Sequence, residues 1–149
     1  MTVTAEGAAF AGAGAAIAAS TPRALAVAAE LARTIGLHAV EIADEDRPAY
    51  HAAASIASNF LITLEGAAER IAATTGVERH LLVPLVKATV ENWAHLGPER
   101  ALTGPVARGD EATVDMQRAA IEERAPELVP LFDALVEATR AIAAQGISA

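Results

Sequence analysis

The sequence predicts a mainly helical protein that opens with a short strand–helix–strand unit. Three observations carry this. Alanine fills about a quarter of the 149 residues, and alanine surrenders no side-chain entropy in a helix. Caps and breakers recur at helix-length intervals: Thr21-Pro22, Gly36, Gly76, Gly97-Pro98, Asp110 and Ala125-Pro126. Residues 12–19 and 37–42 instead form short apolar or alternating runs of strand length.

The elements follow in order. Residues 12–19 read as a strand. Ser20-Thr21-Pro22 starts a helix, with a hydroxyl cap and proline at the first helical position. Leu25, Ala28, Ala29, Ala32 and Ile35 then recur at helical spacing, and Gly36 closes the helix. Residues 37–42 contain Val40 and Ile42 and read as the second strand. A unit of this length suits a crossover between parallel strands, yet two strands do not make a stable sheet. The chain is therefore expected to begin inside something larger, or to borrow strands from a partner.

Ala43-Asp44-Glu45-Asp46 is an acidic break, and Arg47-Pro48 restarts the chain. One long helical pattern then runs to Thr75, interrupted only by Gly66 and closed by Gly76. A third helix is expected over residues 77–96, with Pro84 forcing a kink or a fresh start. Residues 99–109 read as a loop or short turn, and Asp110 caps the next helix. Ala125-Pro126 ends that one, a last helix runs to Gln145, and residues 146–149 read as a frayed tail. The expected domains are 1–46, strand–helix–strand, and 47–149, all helical.

Composition excludes several classes. Just over half the residues are apolar (53%), so disorder is not expected. The net charge of −8, with no Lys/Arg cluster, excludes a nucleic-acid partner and an anionic membrane surface. The absence of cysteine removes disulfides, thiolate catalysis and Cys-based zinc sites. Residues 8–20 are small and apolar, but Glu6 precedes them and no Lys or Arg occurs before Arg23, so they do not read as a signal peptide. No apolar run approaches the ~20 residues of a membrane span. A cytoplasmic protein is expected.

Few segments carry chemistry. Gly12-Ala13-Gly14 lacks a third glycine, a preceding strand and a following helix, so it reads as a glycine-bearing strand and not a dinucleotide loop. His51, Ser55 and Asn59 recur at i, i+4 and i+8, on one face of the long helix. Asparagine is a poor helix-interior residue, because its amide competes with the backbone. The stripe either lines a substrate cleft, with His51 exchanging a proton near neutral pH, or makes a satisfied helix–helix contact. Between Leu102 and Asp110, two glycines and a proline fix the backbone. Thr103, Gly104 and Arg108 there suit an anion; an ordinary inter-helix turn is the alternative. Glu91 and His95 lie one turn apart but lack a third ligand, so no metal is expected. Trp93 reads as core, and Glu122-Glu123-Arg124 as a solvated face.

Three segments together, Tyr50-His51-Ala52-Ala53-Ala54-Ser55-Ile56-Ala57-Ser58-Asn59, Glu91-Asn92 and Leu102-Thr103-Gly104-Pro105-Val106-Ala107-Arg108-Gly109-Asp110, resemble the family of domain of unknown function 2520. The resemblance covers essentially the whole chain. It implies a Rossmann-like domain whose last strand–helix–strand is residues 1–46. The helical domain that follows is similar to the C-terminal domains of 6-phosphogluconate dehydrogenase, ketopantoate reductase and pyrroline-5-carboxylate reductase. It further implies that NADP or NAD binds to an N-terminal Rossmann domain lying before Met1, with no cofactor bound to this chain alone. In the wider superfamily a Lys-x-x-x-Asn pair faces nicotinamide and substrate. Asn59 matches the asparagine, but Ser55 falls where lysine is expected, which leaves His51 as the substitute proton donor.

Two functions are expected from these readings. The first is the helical part of an oxidoreductase reducing a small keto acid or imine, an anionic substrate, through His51, Ser55, Asn59, Thr103, Gly104 and Arg108. Alone, such a part is inactive, because it cannot position a nicotinamide. The second is a non-catalytic interaction module that forms a homodimer.

Overall fold

The computed structural model describes residues 11–147. The fold is mainly helical, with two parallel strands at its front. The first residues of the apolar run at 8–20, and Ser148 and Ala149 of the expected tail, lie outside the described residues. Two compact units emerge, one ending at Phe60 and one beginning at Leu61.

In the first unit, β1 (Gly14–Ile17) pairs in parallel with β2 (His38–Glu41), with Gly14 opposite His38 and Ile17 opposite Glu41. The strands are shorter than the runs that predict them. Helix α1 (Pro22–Thr34) makes the crossover. Its start is local chemistry: the Thr21 hydroxyl accepts from the Ala24 N–H at 3.2 Å, and Pro22 fills the first turn. Its end is glycine chemistry. Gly36 sits at φ +80°, a region costly to a residue with a Cβ, and this lets the Leu37 N–H reach the Ala32 carbonyl at 2.9 Å.

The sheet is covered on one side only. Ala15, Ile17 and Ala39 are half-buried on the side of α1, where Ala32 is buried. Val40, on the alternate face, is exposed. Ile35, the last residue of the apolar helical spacing, is 52% exposed. Parallel strands ordinarily bury both faces; here the face carrying Gly14, Ala16, His38 and Val40 stays exposed.

After a 3₁₀ turn at Asp44–Asp46, helix α2 (Arg47–Ser55) begins. The backbone stays helical to Ala73, but not as the regular helix expected: Ile56–Phe60 is a π turn. The sequence reading missed it because a π turn changes hydrogen-bond span without any breaker residue. Ser58 donates its hydroxyl to the Ala54 carbonyl at 2.6 Å beside it.

The second unit comprises α3 (Leu61–Ala73), α4 (Arg79–Leu96), two single turns α5 (Pro98–Ala101) and α6 (Pro105–Arg108), α7 (Glu111–Arg124) and α8 (Val129–Ile147). Pro84 lies inside α4, which does not restart there. The stretch expected as a loop is in fact the two single turns, and α8 runs through Gly146, whose backbone lies close to Glu99. Val114, Ile121 and Ala125, and Val136 of α8, are the buried apolar residues of this unit among those described. Arg118 of α7 donates two hydrogen bonds, at 2.9 and 3.1 Å, to the Asp133 carboxylate of α8. Arg79 forks onto Glu69 at 2.6 and 2.9 Å, tying α4 to α3. These pairs are part-exposed and fix helix orientation more than they add stability.

Candidate functional site

A cleft of about 340 Å³ opens beyond the C-terminal ends of both strands. Ile17 at the end of β1, Ala18 just after it and Ile42 after β2 form its apolar wall; Arg47, Tyr50 and His51 of α2 supply its polar groups. This is the end of a parallel sheet where ligands of open α/β folds bind, since the strand ends leave a crevice that following segments line. The volume suits a small molecule.

Three features define its chemistry. Arg47 and His51 lie one turn apart on a regular stretch of helix, so they share a face. Tyr50 meets His51 edge to face, with ring centroids 6.0 Å apart and planes at 71°. Arg47 Nε lies 3.1 Å from an Asp44 carboxylate oxygen, in a pair that is largely exposed. His51 is exposed to the cleft mouth, where it can accept or give a proton directly.

Each residue singled out by sequence has a definite place. His51 lines the cleft. Ser55, half-buried, ends α2 one turn further on and does not line the cleft. Asn59 lies in the π turn, so the i, i+8 relation to His51 is not that of a regular α-helix. Inserted π turns recur at functional positions, because they re-aim the residues that follow. Thr103, Gly104 and Arg108 belong to the second unit. Gly104 precedes α6, Arg108 ends it, and Thr103 and Arg108 are both exposed.

Asp110 caps α7. Its carboxylate accepts from the Thr113 hydroxyl at 2.7 Å and from the Thr113 N–H at 3.1 Å. The hydroxyl first, the amide second and nearby Arg108 to a smaller extent hold its pKa below the ordinary carboxylate value.

His95 Nδ1 lies 2.7 Å from the Glu91 backbone carbonyl, so the histidine is tied to its own helix and not to the Glu91 carboxylate. Among the described residues, no group of three or more His, Cys, Asp or Glu could hold a metal ion. No described helix is long and apolar enough to cross a membrane.

Arg47 and Tyr50 are the site residues that sequence reasoning missed. Arg47 read only as the restart after an acidic break. The available signal was periodicity: Arg47, His51 and Ser55 stand at i, i+4 and i+8, extending the polar stripe one turn toward the N-terminus.

A dinucleotide does not fit the strand-to-helix turn present here. Gly12 and Gly14 lie at or before the start of β1, and the turn into α1 is Ala18-Ala19-Ser20-Thr21, which has no glycine. The Ala24 N–H at the helix start is already taken by Thr21. A pyrophosphate needs close backbone approach and free amides at this place.

Residues 14–139 match the family described as Domain of unknown function (DUF2520). No curated protein matches the chain. Among solved structures, the chain is similar to a protein from Bacteroides fragilis, BF3122, provisionally described as an NADP oxidoreductase. The identity is 22% and the TM-score 0.80, over 91% of this chain and 52% of that one. It is also similar to protein TM1727 from Thermotoga maritima, at 34% identity and a TM-score of 0.74, over 83% of this chain and 51% of that one. The chain spans about half the length of each.

Proposed function

The chain belongs to the family described as Domain of unknown function (DUF2520), and we propose that it is the helical, substrate-side part of a two-domain oxidoreductase using NADP or NAD. The observation that carries this reading is the cleft at the strand ends, with His51 at its mouth. Two further facts support it: one face of the parallel sheet is bare, and the chain spans about half of a solved relative described as an NADP oxidoreductase. The domains are 1–46, the end of a Rossmann-like domain, and 47–149, the helical domain.

The substrate is a small keto acid or imine. A nicotinamide, held by a part of the protein outside this chain, supplies the hydride when bound. The chain's own work is to orient the substrate and manage the proton. His51 gives a proton to the carbonyl oxygen or imine nitrogen as negative charge develops there. In the second unit, taken by itself, Thr103, Gly104 and Arg108 are the candidates for meeting an anion. With serine in place of lysine at position 55, His51 is the proton donor that this helix face offers.

The test is a titration of the whole protein with NADPH. The expected result is saturable binding and a rise in the unfolding midpoint, with neither in this chain alone. No binding and no protection in the whole protein would sink the reading.

A second reading, a homodimerising module, has its own support in α4. Leu82 and Val86 face a groove with Leu61 and Ala68 of α3. Leu81 and Leu96 lie outside that groove and are exposed, and Leu85, at its edge, is 66% exposed. A helix that is apolar on two sides is ordinarily buried on both, and a second copy of this chain would cover the free side. Light scattering should give a dimer at micromolar concentrations, and Leu85→Glu should shift it to monomer by at least tenfold in dissociation constant, since charge replaces a buried leucine. A strictly monomeric wild-type chain would exclude this.

A further inference from the structure

We propose that Arg47, Tyr50 and His51 form a recognition site for a singly charged small carboxylic acid, and that the acidic turn before Arg47 selects against phosphorylated or doubly charged ligands. The proposal deepens the oxidoreductase reading and rests on it for the carbonyl beside the carboxylate; the cleft alone carries the carboxylate.

The cleft combines an apolar wall with a few convergent polar groups, the usual makeup of a small-molecule site. Arg47 is its only cation besides a protonatable His51. Its guanidinium presents two more nitrogens beyond the Nε that lies against Asp44, and a planar fork matches a carboxylate. The Asp44 pair is exposed, and exposed pairs are worth little, so its rearrangement toward a ligand costs little. Tyr50 packs edge-on against His51, which limits the orientations of the imidazole and sets the phenol beside it. Arg47 thus takes the carboxylate, while Tyr50 and His51 take the neighbouring oxygen.

Selectivity follows from charge. Asp44, Glu45 and Asp46 form the 3₁₀ turn that runs directly into Arg47, and Glu41 ends β2. Asp44 lies 3.1 Å from the guanidinium, well inside the ~8 Å over which physiological salt leaves charges coupled, and the other three carboxylates stand within a few residues of Arg47 along the chain. One ligand charge is met by the guanidinium. A second has no cation left and faces the acidic turn.

The test uses this chain, labelled for NMR, with pyruvate as the monocarboxylate, and inorganic phosphate and 2-oxoglutarate as the comparison anions. Pyruvate should shift the His51 ring and Arg47 Nε–H signals saturably, with a dissociation constant on the order of millimolar, as befits so few atoms. Phosphate and 2-oxoglutarate should bind at least several-fold more weakly. Arg47→Gln should weaken pyruvate at least tenfold, Tyr50→Phe less, and Arg23→Gln, on α1, not at all. Asp44→Asn should narrow the gap between phosphate and pyruvate. Equal pyruvate binding by Arg47→Gln, phosphate binding as tight as pyruvate, or no shift at His51 would overturn the proposal. Should the whole protein fail to bind NADPH while pyruvate still binds at Arg47, the oxidoreductase reading falls and the carboxylate site stands. Should NADPH bind while Arg47→Gln leaves pyruvate unaffected, the site alone falls.

Discussion

Replacing Ile121 by alanine should lower the stability of the helical unit by about 2–4 kcal/mol, the range for truncating a buried isoleucine. Ile121 is 7% exposed on α7 and lines a cavity with Ile71 of α3, Leu128 just before α8 and Leu131 of α8. It joins three helices, and few other side chains in this unit are buried so fully. Truncation loses the transfer free energy of the removed carbons and leaves a void between helices held by ion pairs at their rims, such as Arg118–Asp133. The control is Met116→Ala on the same helix. Met116 is 65% exposed, and its loss should cost less than about 0.5 kcal/mol. Urea unfolding of both variants measures the difference. Equal midpoints would mean that α7 does not pack where the structure has it.

In the whole protein, on the proposed function, His51→Asn should lower kcat for carbonyl reduction by about 10²–10⁴-fold, the usual contribution of a positioned general acid. KM for the substrate should change much less, because asparagine retains a hydrogen-bond donor near the same place. A parallel loss of kcat and substrate binding would give His51 a packing role instead. The double variant His51→Asn, Ser55→Lys offers a positive test. The superfamily resemblance puts lysine at position 55, one turn away on the same helix face, and partial recovery of rate is expected if the cleft tolerates a donor from either turn. No recovery, with the fold intact, would confine proton transfer to the histidine turn.

The boundaries legible in sequence are those set by local chemistry. Thr21 and Asp110 cap their helices through residues three positions on, Gly36 closes α1 by its own backbone conformation, and Ala125-Pro126 separates α7 from α8. Each bond spans a few residues, so its pattern survives in the letters alone. The family followed from longer strings of the same kind, and the match over residues 14–139 agrees with it. The π turn left no such trace, because Ile56–Phe60 holds no breaker and its residues suit an ordinary helix.

The site divides along the same line. From the sequence alone came the strand–helix–strand, the succession of helices and a polar stripe containing His51, since periodicity and capping are properties of neighbours along the chain. Only tertiary structure decided that Arg47 and Tyr50 stand with His51 around a cleft, and that Ile17 and Ile42 wall it. That arrangement depends on β1 and β2 pairing in parallel register across 20 residues of intervening chain, so that both strands end at one level and deliver α2 to their rim. Such a pairing is enforced by long-range hydrogen bonds and by the packing of α1 on the sheet, and no spacing of residue types along the chain encodes it.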